Sequence, residues 1–416
     1  MNWPKLSTQH IKLRIFEALS ENLNYRSENI LGIPATYLDT DIFYDDAPFL
    51  KDAPFLSTLV ANPNNIGCHT LEGEKEPLFK GSQEIERDLI RICAEEIFAA
   101  DPKACDGYVA SGGTEANIEA CWIYRNYFVK EHHARPEEIV LLYSEDSHYS
   151  LPKASNLLSI KSVVFGVHED TREINISDLE KRVMHELKNG TKYFIVNVNL
   201  STTMFGSVDD IDKITDLLNL LNAEYKLHID AAFGGFIYPF TKTNSKYNFA
   251  NPYVSSITID GHKMLQAPYG TGIFLIRKNM MQYVCTEEAS YVQGKDYTLC
   301  GSRSGANAAC VWMILHMHGS VGWTVKMSHL LDKTNSLCSA LETMDVEFYR
   351  NPHLNIIAIK SRFISETLAN KFCLVPDNHA NPKWYKIVVM PHVKPGILDN
   401  FLTELENEQV NKRIHS

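Results

Sequence analysis

The chain has 416 residues, 44% of them hydrophobic and 22% charged, with a formal net charge of -11. Such a length and apolar content allow a large buried core and two domains, and exclude disorder over most of the chain. The acidic balance, offset by no local cluster of lysine and arginine, argues against a nucleic-acid partner, whose phosphates call for a basic surface.

In chain order, residues 1–70 read as an N-terminal helix followed by an irregular arm containing proline and asparagine. The opening stretch MNWPKLSTQHIKLRIFEAL alternates charged and apolar residues and lacks the apolar core of a signal peptide. No run approaches the roughly 20 apolar residues of a membrane span. Within the arm, DAPFLK (46–51) is followed at once by DAPFLS (52–57), a local insertion in an extended segment, since each copy contains a proline. The nine cysteines are scattered, odd in number and without a Cys-x-x-Cys pair. That usage fits reduced thiols in a cytoplasmic protein better than disulfides or a zinc site. No His-Glu-x-x-His motif points to a metal.

From residue 82, SQEIERDLIRICAEEIFAA spaces Ile85, Leu89, Ile92 and Ile97 as one face of an amphipathic helix, with Glu84 and Glu86 near its positive end. Strand-length apolar runs then alternate with helical patterns: IVLLYS (139–144), SVVFGV (162–167), YFIVNVNL (193–200), KLHID (226–230), SSITID (255–260) and GIFLIR (272–277). Continuous apolar strands separated by helices predict an α/β fold with a mostly parallel sheet covered on both faces, and a ligand beyond the carboxyl ends of its strands. Residues 71–285 are expected to form this large domain. After about Tyr283 the pattern changes to a long helix (306–341), the strands LNIIAIKS and YKIVVMPHV, and a final helix from Pro395. Residues 286–416 thus read as a loop, a long helix and a small α+β C-terminal domain.

Three features of the large domain belong together. SGGTEAN (111–117) follows the strand GYVAS and opens a helix, so Gly112, Gly113 and Thr114 stand where free N–H groups favour a phosphate. Alone, Gly-Gly could be a turn and Thr114 an N-cap. Asp230 ends KLHID and is followed by Ala231, Ala232, Gly234 and Gly235, small enough to admit a flat ring close to the backbone. Lys263, in DGHKM after SITID, offers an amine able to form an imine. A Schiff-base lysine, an acidic partner for a pyridinium nitrogen and a phosphate cradle are what pyridoxal 5'-phosphate (PLP) requires. His148, in SEDSHYSLPKA, is either a core histidine or a ring stacked on the cofactor, and His262 a phosphate donor or a strand-end polar residue. Thr202 and Thr203 are hydroxyl donors to the cofactor or β-branched packing.

The ordered set SGGTEAN, SHYS, STTMFGSVDD, HIDAAFGG, DGHKM, GSRSG and VVMPHV resembles the group II PLP-dependent amino-acid decarboxylases, of the aspartate-aminotransferase fold (fold type I), over about residues 79–401. NVNLSTT, SVDD and GSRSG are similar to bacterial histidine and plant serine decarboxylases; FKGSQEIE, HIDAAFGG, SITID and KIVVMPH are similar to archaeal tyrosine/aspartate decarboxylases. The resemblance implies that Lys263 carries PLP, Asp230 meets its pyridine nitrogen, His148 stacks on the ring, and Ala232 lies near the other face. It places Gly113, Thr114 and His262 at the phosphate and Thr203 near the cofactor. It also implies a homodimer with active sites at the interface, and a loop tyrosine, here Tyr291 before Gly294, that closes over the site and protonates Cα. Arg303 falls on the family's Gly-Ser/Thr-Arg motif. Two departures, Ser201 in place of a glycine and the DAPFL duplication, bear on the substrate pocket. The expected reaction is α-decarboxylation of an L-amino acid, with histidine, tyrosine, serine, aspartate and glutamate open as substrates. The rivals are a carbon–carbon lyase of the sphingosine-phosphate-lyase type and a non-catalytic PLP-binding protein.

Overall fold

In the computed structural model, residues 29–32, 58, 63–71, 79–286 and 295–415 are described. The expected N-terminal helix, the DAPFL duplication, Tyr291 and Gly294 lie outside them.

Among the described residues, β1 (Cys105–Ala110), β2 (Ile139–Ser144), β3 (Lys161–Phe165), β4 (Tyr193–Asn199), β5 (Glu224–Asp230), β6 (Val254–Asp260) and β7 (Gly272–Arg277) form one sheet in the order β1-β7-β6-β5-β4-β2-β3. The strands β3, β2, β4, β5 and β6 pair in parallel, whereas β7 runs antiparallel to both β6 and β1. The strands lack polar alternation because both faces are covered: Val140 and Leu142 point into one apolar cluster, Leu141 and Tyr143 into the other.

Helices α1 (Lys80–Arg91), α2 (Gly113–His132), α3 (Ser150–Leu158), α4 (Ile176–Lys188) and α5 (Ile211–Leu220) cover the sheet. Asn175 and Asp210 cap α4 and α5 by accepting first-turn N–H groups, which starts each helix where its apolar period begins. The amphipathic helix expected through residue 100 is α-helical only to Arg91; Ile92–Ile97 continue as a π-helical turn.

The long helix α6 (Gly305–Thr343) is broken at Gly319, whose φ of 60° and ψ of 176° are not helical. Before the break, Trp312 Nε1 donates to Asp88 of α1 at 2.8 Å; after it, Lys333 Nζ donates to the carbonyl of Val393 at 2.8 Å. One apparent helix therefore bridges the large sheet and the C-terminal unit. That unit contains β8 (Phe348–Arg350), β9 (Ile356–Lys360), helix α7 (Glu366–Lys371), β10 (Val375–Pro376), β11 (Trp384–Val388) and helix α8 (Pro395–His415), with an antiparallel sheet in the order β10-β11-β9-β8. Leu31, from the N-terminal arm, donates to Phe372 O and accepts from Val388 N. Lys386 Nζ on β11 donates to Thr203 O at 3.1 Å, pinning the small sheet to the loop after β4.

Candidate active site

Parallel strands all deliver their carboxyl ends to one edge of the sheet, and there the loops after β1, β2, β4, β5 and β6 enclose a cavity of about 350 Å³. Gly112, Gly113 and Thr114 line it at the start of α2, and His148 lines it from the segment after β2. Thr203, Asp230, Ala232, His262 and Lys263 complete the expected set. Residues spread over 152 positions in sequence thus meet in one place; Tyr291 lies outside the described residues.

Lys263 Nζ lies 3.1 Å from Asp260 Oδ2. Burial pulls the ammonium's pKa down, but the carboxylates of Asp260 and Asp230 more than offset it, so the pKa stands above the ordinary lysine value. His262 Nε2 shares the same oxygen at 3.6 Å. Asp260 was not singled out from the sequence, although it stands three residues before Lys263 in the same motif. Its second oxygen, Oδ1, is buried with no hydrogen-bond partner among the described residues.

Asp230 Oδ1 accepts from the N–H of Ala232 at 3.1 Å, and Oδ2 accepts from Asn117 Nδ2 at 2.8 Å. Asn117 sits one turn into α2 and was likewise missed. His148 Nδ1 accepts from the N–H of Ser150 at 3.2 Å and pairs with Ser150 Oγ at 3.0 Å, which fixes the ring plane. Burial first, with the nearby Lys263 charge, lowers the His148 pKa against the pull of Asp230, so the ring is neutral at neutral pH. Thr202, by contrast, spends its hydroxyl inside its own loop, on Ser207 Oγ at 2.7 Å and Ser207 N at 3.1 Å. Thr203 is solvent-exposed at the rim.

The cavity has the donor set PLP needs: an amine, a carboxylate held by two N–H donors, and a helix N-terminus. Glycine is required at 113 by contact, since a Cβ there would lie 2.9 Å from Asp260 Oδ2 and 3.3 Å from Ala232. At Gly272 a Cβ would meet the Gly112 backbone at 2.5–2.8 Å, so the start of β7 is kept bare for the loop to lie on it. Ser201 adopts φ of 85°, the left-handed region that favours glycine, in keeping with the glycine that the motif resemblance led us to expect there.

Arg303 stays out of the cavity. Its guanidinium donates to Glu86, to Val109 O and to Gly67 O, and stands 4.9 Å from the centre of the Tyr108 ring. The conspicuous GSRSG motif therefore contributes a buried clamp between the arm, α1 and β1.

Residues 58–360 match the model of the pyridoxal-dependent decarboxylase conserved domain. The chain is 46% identical over 405 residues to a tryptophan decarboxylase of Clostridium sporogenes, covering 97% of each. It is 29% identical over 354 residues to a histidine decarboxylase of Vibrio campbellii, covering 83% of this chain and 85% of that one. In structure it matches the L-methionine decarboxylase of Streptomyces sp.590 with a TM-score of 0.77 at 21% identity, over 98% and 97% of the two chains, a likeness that carries the fold alone. The two rivals, a carbon–carbon lyase and a non-catalytic binder, give way to the family match. With its parallel sheet, its small antiparallel sheet and a cavity furnished for PLP, the chain belongs to the pyridoxal-dependent decarboxylases and is a PLP-dependent amino-acid decarboxylase.

Proposed function

We propose that the enzyme decarboxylates an aromatic L-amino acid, tryptophan foremost, releasing carbon dioxide and the primary amine. The observation that carries this reading is the 46% identity, over 97% of both chains, to a tryptophan decarboxylase. Tryptophan was not among the five substrates suggested by the sequence motifs. The cavity agrees with an aromatic side chain. Tyr149, Tyr269 and Phe233 line it, whereas Lys263 is its one lysine or arginine among the described lining residues and is already paired with Asp260. An acidic substrate side chain would meet Glu115, Asp230 and Asp260 instead of a free cation.

In this reading Lys263 would hold the cofactor covalently, Asp230 would meet its ring nitrogen, and His148 and Ala232 would hold the ring. Gly112, Gly113, Thr114 and His262 bind its phosphate, and Thr203 lies at its edge. Bound PLP supplies an electron-withdrawing ring that takes up the electron pair left on Cα when the carboxylate departs. Asp230, held by two N–H donors, would meet the ring nitrogen and favour its protonated form. Neutral His148 offers a flat apolar face without competing for that proton. Tyr291 is the proposed proton donor to Cα, and a second copy of the chain completes the site as a homodimer.

Purified, PLP-loaded protein should be offered a panel of tryptophan, tyrosine, phenylalanine, histidine, serine, methionine, aspartate and glutamate, with carbon dioxide release measured. Tryptophan or another aromatic substrate is expected to lead in kcat/KM by about tenfold or more. Preference for aspartate or glutamate would overturn the reading. For the dimer, inactive Lys263→Ala mixed with inactive Tyr291→Phe should regain about a quarter to a half of the activity per mixed dimer if the loop reaches across the two-fold axis.

A further inference from the structure

Besides the Tyr108–Glu115 contact at β1, a polar seam crosses the interface between α2 and the sheet. On β5, His228 and Asp230 point to the same face because strand side chains alternate, and their parallel partners on β6 are Ser256 and Thr258. Over this face lies α2, which presents Asn117 and Tyr124 two turns apart. Asn117 and His228 are 1% exposed, and Tyr124, Ser150, Ser256 and Thr258 are fully buried. Burying so many polar groups where leucine or valine would pack is unfavourable unless every one is paired.

They are paired, and in one direction. Asn117 Nδ2 donates to Asp230 Oδ2 at 2.8 Å and to Ser150 Oγ at 2.9 Å. With both amide hydrogens so used, Asn117 Oδ1 must accept, and its partner at 2.9 Å is His228 Nε2. His228 is therefore the neutral tautomer with its proton on Nε2, which also reaches Thr258 Oγ1 at 3.2 Å. Its Nδ1 then accepts from Ser256 Oγ at 2.6 Å, and Ser256 in turn accepts from the Tyr124 hydroxyl. Burial holds the imidazole neutral, pushing its pKa down to about 4 despite Asp230. Each donor points toward the next, so the bonds polarise one another and converge on the Asp230 carboxylate. The second arm of Asn117 passes through Ser150 to His148, so one amide sets both groups assigned to the ring.

We propose that His228 and Asn117 are positioning residues of the decarboxylase: the chain Tyr124–Ser256–His228–Asn117 holds the Asp230 carboxyl group aimed into the cavity, and ties its orientation to that of His148. This rests on the reading that Asp230 faces the PLP ring nitrogen.

The test compares His228→Leu, which removes the donor to Asn117, with His228→Gln, whose side-chain amide restores one, both as PLP-loaded enzyme. Two signals are read: kcat against KM, and the pH at which the isotopically labelled ring nitrogen of bound PLP loses its proton by NMR. In His228→Leu, kcat should fall about tenfold with KM little changed, and the ring nitrogen should deprotonate about one pH unit lower, the same quantity seen twice. His228→Gln should recover most of both. Wild-type behaviour in His228→Leu, or equal defects in the two variants, overturns the proposal. If His228→Leu does not fold, Tyr124→Phe decides: a smaller displacement of the ring titration in the same direction supports the relay, and an unmoved titration overturns it. Asp230→Asn runs in parallel. If it keeps normal turnover, the reading of Asp230 itself fails; if it is crippled while the His228 variants are normal, only the relay fails.

Discussion

Replacing Glu86 by glutamine tests the buried clamp with almost no change of shape. Glu86 is 1% and Arg303 4% exposed. One carboxylate oxygen of Glu86 accepts from Val109 N–H at 2.7 Å and from Arg303, and the other accepts from Asn65 Nδ2 at 2.9 Å beside His69 Nε2 at 3.3 Å. In Glu86→Gln the amide hydrogens must face one of these donor sets, and Arg303 is left as a buried cation without a counter-charge. Breaking a buried pair from one side costs about 3–5 kcal/mol, because desolvation of the survivor is no longer compensated. Spread over the unfolding entropy of 416 residues, that corresponds to a melting temperature lower by about 3–6 °C. Calorimetry of the PLP-loaded protein at neutral pH measures it. The double variant Glu86→Leu with Arg303→Met removes both charges and should lose less than the single losses added together. A shift within about 1 °C for Glu86→Gln, or strict additivity in the double variant, would refute the clamp.

Asp230→Asn should leave the fold intact and lower turnover at least about tenfold, since each pKa unit of lost support for the ring proton is worth about 1.4 kcal/mol; near-normal kcat would make Asp230 structural. Asp209 is 2% exposed, and burial pushes its pKa up to about 7 against the hydrogen bonds from Asn199 N and Nδ2. The folded chain then binds more protons than the unfolded one between pH of about 4 and 7, so this carboxyl's contribution to stability is full below that window and lost as the pH rises through it. Asp209→Asn should flatten the fall in melting temperature across the window, and an unchanged slope would exonerate the residue. Ser201→Gly relieves a left-handed serine, roughly 1–2 kcal/mol, and frees the unfolded chain by roughly 0.4–1 kcal/mol. The net should be neutral to slightly stabilising in urea, and a loss above about 1 kcal/mol would show that the serine side chain matters to the fold.

The strands were legible because a sheet buried on both faces writes itself as uninterrupted apolar runs, and IVLLYS and GIFLIR match β2 and β7 at both ends. The direction of β7 was not, since nothing local in GIFLIR distinguishes an antiparallel strand from a parallel one. The break at Gly319 sits in a sequence whose flanks are both helical, so only packing against two bodies reveals it. The residues that line the cavity were legible as motifs at strand ends, where ligand chemistry gathers in this architecture. Asn117 and Asp260 stood inside those same motifs, and their roles depend on partners 113 and 3 positions away. His228 was within reach of sequence reasoning, because alternation puts it on the face of Asp230. The Arg303–Glu86 pair spans 217 positions and has no local signature.

The reversed strand β7 has a consequence for how Lys263 is mounted. Asp260 and Gly272 are partners in one ladder, so residues 261–271 form a loop clamped at both feet to the same rung. Braces cross it: Gly261 N–H to Thr271 O at 2.7 Å, Ala267 N–H to Gly261 O at 3.0 Å, and Thr271 Oγ1 to Pro268 O at 2.8 Å. Lys263 hangs from this fixed gantry by a flexible four-carbon stem, so the amine sweeps a small volume while its root stays still. A reagent confined in that way acts at high effective molarity without any movement of the backbone. The same clamping makes the loop intolerant of length change, because one added residue would either break the ladder or carry the amine off its arc.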